Sequence, residues 1–157
     1  MKNILKEDVE KYLINNPNKI KINSKNINIG DVFVALQGSR THGNQYIDKA
    51  QISGVKYIIT DKKLTKNKNS NLLKVKEIYD FLFNIASKKR NQYNGKVIAI
   101  TGSVGKTSIK ELIKYFLLSE ANVSASINSY NNYLGVLISI INMDLNSHFS
   151  IFEVGTN

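Results

Sequence analysis

The chain has 157 residues, 42% of them hydrophobic, a formal charge of +10 and no cysteine; this is enough apolar material for one ordinary core or two small ones, and it excludes a disulfide framework or a thiolate metal site. The charge does not by itself make a nucleic-acid binder: Arg40 and Arg90 are the only arginines, and the lysines are spread among asparagine and isoleucine. No arginine–aromatic cluster stands ready to read or stack on bases, so attraction of a polyanionic small molecule is the more economical use of the charge. Met1–Asp8 turns charged before a signal-peptide core could form, and the longest apolar stretch, Leu134–Ile141, falls far short of the roughly 20 residues that span a bilayer. The expected setting is the cytoplasm, without membrane insertion.

In chain order, Leu5, Val9, Tyr12 and Leu13 share one helical face, and Pro17 ends that helix. A short strand is expected over 19–23. Asn28–Asp31 reads as a turn into Val32–Leu36, an apolar run suited to a buried strand. Residues 38–43 form a polar loop, and Tyr46, Ile47, Ala50 and Ile52 predict a short helix that Gly54 terminates. Residues 55–60 read as a strand, 61–71 as a lysine- and asparagine-rich surface loop, and Ile78, Phe81, Leu82 and Ile85 as a helix running to about Arg90. The polar stretch 91–95, ending in glycine, is the expected domain boundary, dividing the chain into 1–94 and 95–157.

Beyond that boundary, strands and helices alternate. Val97–Ile100 reads as a strand buried on both faces of a parallel sheet. Ile109, Leu112, Ile113, Phe116 and Leu117 make one apolar helical face. Strands are expected over 123–127 and 150–154, with an apolar helix from about Asn131 between them. The fold class expected is α/β: a small α/β domain followed by the first part of a parallel-sheet domain carrying a phosphate loop.

That loop is Thr101-Gly102-Ser103-Val104-Gly105-Lys106-Thr107-Ser108, set between the strand and the amphipathic helix. Glycines at 102 and 105 let the backbone turn its N–H groups toward one point, and the helix start adds unpaired N–H groups and a positive dipole end. Residues 102–108 are therefore expected to bind ATP or GTP, with Lys106 reaching the outer phosphates and the Thr107 hydroxyl meeting Mg²⁺. The full eight-residue pattern would have glycine at position 100, where the chain has Ile100, so the match is to the shorter G-x-x-G-K-[ST] form. Glu153 ends the apolar strand 150–153, where open α/β sheets place ligands; it is either a magnesium ligand opposite Thr107 or a surface glutamate at a strand end. His42 and His148 have no partner at metal-ligand spacing and read as loop or surface residues.

Residues 98–111, with T-G-S-V-G-K-T followed by Lys110-Glu111, resemble the ATP-binding segment of the Mur ligases. Ser129–Val136 resembles the family's N-x-N-N-x-x-G segment, and Phe152–Asn157 resembles its E-x-G-x-N segment, whose glutamate binds magnesium. Gly30–Gly38 together with His42–Ile47 resembles the family's UDP-binding domain. The resemblance implies an ATP-driven amide ligase of bacterial cell-wall synthesis that works through an acyl phosphate, with Lys106, Thr107 and Glu153 as catalytic residues and Mg²⁺ on Thr107 and Glu153. Lys110-Glu111 and Asn131-Asn132 favour the branch whose substrates are a UDP-N-acetylmuramoyl-peptide and D-Ala-D-Ala; sister Mur ligases and folylpolyglutamate-type ligases are alternatives. A P-loop kinase or GTPase is a more distant one, and no N-K-x-D guanine-reading segment is present.

Residue by residue, the resemblance assigns Ser24, Ser39, Arg40 and Thr41 to the UDP site, although Asn23-Ser24-Lys25 replaces the family's D-S-R, and His42 and Asn44 replace its aspartate and histidine. Asn132 is either near the reacting groups or a helix cap. The family's C-terminal, amine-receiving domain and its modified lysine have no counterpart before Asn157. The 157 residues are therefore expected to be a fragment, inactive alone, with a sheet edge that lowers solubility; the full-length protein is expected to be a monomer.

Overall fold

The computed structural model describes residues 5–38, 41–62, 71–127 and 130–155. Ser39, Arg40, most of the 61–71 loop, Ser129 and the last two residues of the Phe152–Asn157 segment lie outside the described residues. The fold is α/β, with two parallel sheets. It divides into two compact units: Met1–Leu13 with Lys19–Phe81, and Ile14–Asn18 with Leu82–Asn157.

The first unit holds a four-stranded sheet in the order β1 (Ile20–Lys21), β2 (Val32–Ala35), β3 (Tyr57–Thr60), β4 (Leu72–Lys74), every neighbouring pair parallel. β2 is buried at every residue, as its continuous apolar run requires of a central parallel strand. Helix α2 (Ile47–Ile52) lays Ile47 and Ala50 on this sheet, joining Phe33, Ala35, Val55 and Ile58 in one cluster against which Ile27 and Leu72 pack. Gly54, just past α2, has φ +76°. Helix α1 (Lys6–Asn15) buries Val9 and Leu13, and its Tyr12 hydroxyl donates to the Gly30 carbonyl at 2.7 Å while its ring meets Tyr57 edge-on. β1 is shorter than the expected 19–23 strand, because the backbone turns at Ser24–Asn26, where the Asn23 side chain accepts from the Lys25 N–H.

Helix α3 (Ile78–Gln92) runs across the division between the units, with Ile78, Phe81, Leu82, Ile85 and Ala86 buried. In the second unit it contributes Lys89, whose side chain is fully buried and whose Nζ donates to the Ile141 carbonyl at 2.6 Å. Burial pushes this ammonium down to about 8, against the attraction of Asp144.

The second unit holds a three-stranded parallel sheet in the order β5 (Lys96–Ile100), β7 (Phe149–Glu153), β6 (Val123–Ala125). Helix α4 (Lys106–Leu118) connects β5 to β6, and α5 (Tyr133–Asn142) connects β6 to β7. α5 is almost wholly apolar and buries Leu137, Ile138 and Ile141; Phe152, Met143 and Tyr93 form a further cluster with Val97, Ile140 and Leu145.

Two features of this unit depart from expectation. The strand buried on both faces is β7, buried from Ser150 to Glu153, whereas β5 lies at the sheet edge with Ala99 exposed and only Ile100 buried. On α4 the apolar face is divided: Ile109, Leu112 and Phe116 are 48%, 55% and 64% exposed, Ile113 and Leu117 are partly buried, and the one fully buried residue of the helix is Lys110. The helix presents to the sheet the face that carries Thr107 and Lys110, because that face has polar partners at the ends of β6 and β7.

Candidate functional site

The site is built from the strand order. β5 and β7 are neighbours in register, with Ile100 opposite Glu153, so the loop leaving β5 and the carboxylate ending β7 stand side by side although far apart in sequence. This is the carboxyl end of a parallel sheet, where open α/β folds bind ligands. The Val154 N–H donates to the Ile100 carbonyl at 2.9 Å and locks the two strand ends together.

Gly102 (φ +145°) and Gly105 (φ +79°) take backbone angles that L side chains rarely adopt. Gly105 is the residue before α4, with no side chain to cap the helix, and nothing lies within 4 Å of the position its Cβ would take. No side chain at Gly105 crowds the start of this thirteen-residue helix, and a helix N-terminus, with its amides and positive dipole end, favours a phosphate. Ser103 and Val104 sit exposed on the loop. Lys106 Nζ donates to the Gly102 carbonyl at 2.6 Å, which folds the side chain back along the loop.

Behind the loop, the Thr107 hydroxyl donates to Glu153 Oε2 at 2.8 Å. Glu153 is 2% exposed, so the choice left open by the sequence falls against a surface glutamate. Its other oxygen, Oε1, accepts from Asn131 Nδ2 at 3.0 Å, and the Asn131 carbonyl accepts from the Gly155 N–H at 2.7 Å. Asn132 takes the capping role: its side chain accepts from the Gly135 N–H at 2.8 Å and starts α5. The role of Asn131 is not apparent from sequence. The Asn131-Asn132 pair is the available signal, but only the cap geometry tells which asparagine turns to the carboxylate.

Among the described residues, no group of three or more His, Cys, Asp or Glu side chains gathers to hold a metal. One buried carboxylate and one hydroxyl beside a phosphate loop suit a cation that keeps waters and takes its other oxygens from phosphates, as Mg²⁺ does.

In the first unit, Ser24 follows β1, Thr41 follows β2, and Thr60 with Asp61 ends β3, so all lie toward the carboxyl ends of that sheet. After β2, the Gly38 N–H donates to the Thr41 carbonyl at 2.9 Å and the Gly43 N–H to the Leu36 carbonyl at 2.7 Å. His42 is a loop residue, partly buried and with partners of its own. Its Nδ1 accepts from the Asn44 N–H, and its Nε2 lies 3.3 Å from Asp61 Oδ1. Asn44 Oδ1 accepts from the Thr60 hydroxyl at 2.7 Å.

Residues 18–103 match the model of the Mur ligase family catalytic domain, and residues 100–157 match that of the Mur ligase middle domain. A UDP-N-acetylmuramoyl-tripeptide–D-alanyl-D-alanine ligase of Rickettsia prowazekii is 41% identical over 142 residues, covering 90% of this chain and 31% of the relative. Among solved structures, MurF ligase from Thermotoga maritima in complex with ADP superimposes with a TM-score of 0.71 at 30% identity, over 91% of this chain and 33% of that one. MurF from Acinetobacter baumannii shares the fold, with a TM-score of 0.75 at 22% identity over 100% of this chain and 36% of that one. The chain thus spans about a third of the length of the curated relatives it matches. With one family model covering more than half of its residues and a second taking up where that one ends, the chain belongs to the Mur ligase family.

Proposed function

We propose that this chain is the substrate-gripping front of an ATP-dependent ligase that joins D-Ala-D-Ala to a UDP-N-acetylmuramoyl-tripeptide in the cytoplasm. Residues 95–157 hold Mg·ATP, and residues 1–94 hold the UDP end of the substrate. The observation that carries the reading is the Thr107–Glu153 contact of 2.8 Å behind a glycine loop in which Gly105 leaves the space before α4 uncrowded. The likeness to a relative solved with ADP supports it.

In this reading the substrate carboxylate would take the γ-phosphoryl group of ATP, leaving ADP, and the amine of D-Ala-D-Ala would then attack the acyl carbon, forming the amide as inorganic phosphate and a proton depart. The loop amides and the Lys106 ammonium bind the phosphates and offset charge that grows during transfer. Thr107 and Glu153 provide the protein oxygens for the cation, and Asn131 fixes the free oxygen of the carboxylate. In the first unit, Ser24 and Thr41, with Ser39 and Arg40, serve the uridine diphosphate.

The direct test is calorimetric titration with ADP, with and without Mg²⁺, of the wild-type chain and Lys106→Ala. Binding that depends on Lys106 supports the reading; nucleotide binding indifferent to that substitution would overturn it. Titration with a UDP-sugar tests the first unit separately.

A further inference from the structure

Lys110 has no part in the scheme above, yet with Lys89 it is one of two fully buried lysines described in the second unit. It lies one helical turn beyond Thr107, on the same face of α4. Its side chain is fully buried. Lysine ordinarily carries its ammonium to water on a flexible stem, and burying that charge is costly unless it is paired and hydrogen-bonded. The opposite face of α4 is open to solvent, so a lysine there would cost nothing; instead Ile109, Leu112 and Phe116 stand outside and Lys110 within.

The partners explain the inversion. Lys110 Nζ donates to the Ser126 carbonyl at 3.0 Å and lies 4.0 Å from Glu153 Oε2 and 3.3 Å from Glu111 Oε1. Of these carboxylates Glu111 is half-exposed and has water available, whereas Glu153 is buried. Ser126 is itself tied to β7: its N–H donates to the Ile151 carbonyl at 2.9 Å, and its hydroxyl accepts from the Glu153 N–H at 3.4 Å. The ammonium is therefore anchored to the strand that carries Glu153. It faces Oε2, the oxygen that also accepts from Thr107, while Asn131 holds Oε1.

We propose that Lys110 is a positioning residue of the cation site, its buried ammonium holding the Glu153 carboxylate beside Thr107 in the geometry the incoming cation meets. The inference rests on the magnesium–nucleotide reading and deepens it: Lys106 and Lys110, one turn apart, divide the work between phosphate and carboxylate. Groups behind a metal ligand that fix its orientation typically govern affinity by about 10- to 100-fold.

The test uses Mn²⁺ as the probe, its binding to the 157-residue chain followed by electron paramagnetic resonance in the presence of ADP, alongside thermal unfolding in EDTA. The variants are Lys110→Met, Glu153→Gln and the double substitution. Lys110→Met should weaken Mn²⁺ binding about tenfold or more while leaving ADP affinity in EDTA unchanged. Its lowered unfolding temperature should recover in the double variant, where no buried carboxylate is left without its counter-charge. If Lys110→Met fails to fold alone, folding of the double variant decides the same question. Wild-type Mn²⁺ affinity in Lys110→Met, or a double variant no more stable than Lys110→Met while Glu153→Gln folds, would overturn the assignment of Lys110 alone. A wild-type chain that binds no Mn²⁺ with ADP, or a Glu153→Gln chain that binds it normally, would instead overturn the magnesium reading and this inference with it.

Discussion

Thr107 and Glu153 stand 46 residues apart in the chain and 2.8 Å apart in space, the hydroxyl of one donating to Oε2 of the other. The contact exists because β7 inserts beside β5 in the sheet and brings its last residue level with Ile100. Helix α4 then enters from the loop with Thr107 on its inward face.

Thr107→Val should separate the two roles of that hydroxyl. Loss of a hydrogen bond to a buried carboxylate is expected to lower stability by about 1–3 kcal/mol, measured by chemical unfolding. The same substitution should abolish the gain in ADP affinity that Mg²⁺ confers, while ADP binding in EDTA stays near wild type by calorimetry.

Gly105→Ala tests the loop backbone without crowding. The glycine sits at φ +79° and a Cβ would meet nothing within 4 Å, so the cost is conformational only, about 1–2 kcal/mol. Nucleotide affinity should fall as well, because relief of the strain turns the loop amides away from their common point.

Lys89 predicts a pH dependence of stability. Its ammonium is pushed down to about 8 in the folded chain from 10.5 when unfolded, so between these values the unfolded chain holds more protons and stability rises with pH. The destabilising effect is fully present below about pH 8 and gone above about 10.5, with a total of about 2–4 kcal/mol. Unfolding curves over this range should show the rise in the wild-type chain and lose it in Lys89→Met.

These lysines mark the limit of what the sequence discloses. The phosphate loop and the α/β alternation are local patterns, legible because glycine, lysine and apolar periodicity act through their own backbone neighbourhood, whereas the cap at Asn132 is one of two open readings that the structure decides. Lys89 and Lys110 are buried by partners 52 and 16 residues away; Lys110 stands out in the sequence as half of the Lys110-Glu111 pair, but no local pattern discloses that either ammonium is buried. β4 is not legible because Leu72–Lys74 offers three residues, too few for a period to declare itself. The apolar stripe on α4 is visible in the sequence, but its direction is not: periodicity reveals that a helix has two faces, and the polar partners at the ends of β6 and β7 decide which one turns inward.

Turnover gives a further check. Since the chain spans 31% of the Rickettsia prowazekii relative, we expect the 157 residues to bind nucleotide but to release no phosphate from ATP in the presence of the UDP-tripeptide and D-Ala-D-Ala. Substrate-dependent phosphate release, followed colorimetrically, would contradict this.

The outward stripe of α4 also reverses the usual grammar of tolerance along a helix. A saturation scan of residues 106–118 should find Ile109, Leu112 and Phe116 receptive to serine, glutamine or glutamate, with better behaviour at high concentration as the reward. Lys110, charged and near the middle of the same helix, should accept almost nothing. A score that ranks positions by hydrophobicity would misplace Lys110 and these three residues, though not the partly buried Ile113 and Leu117.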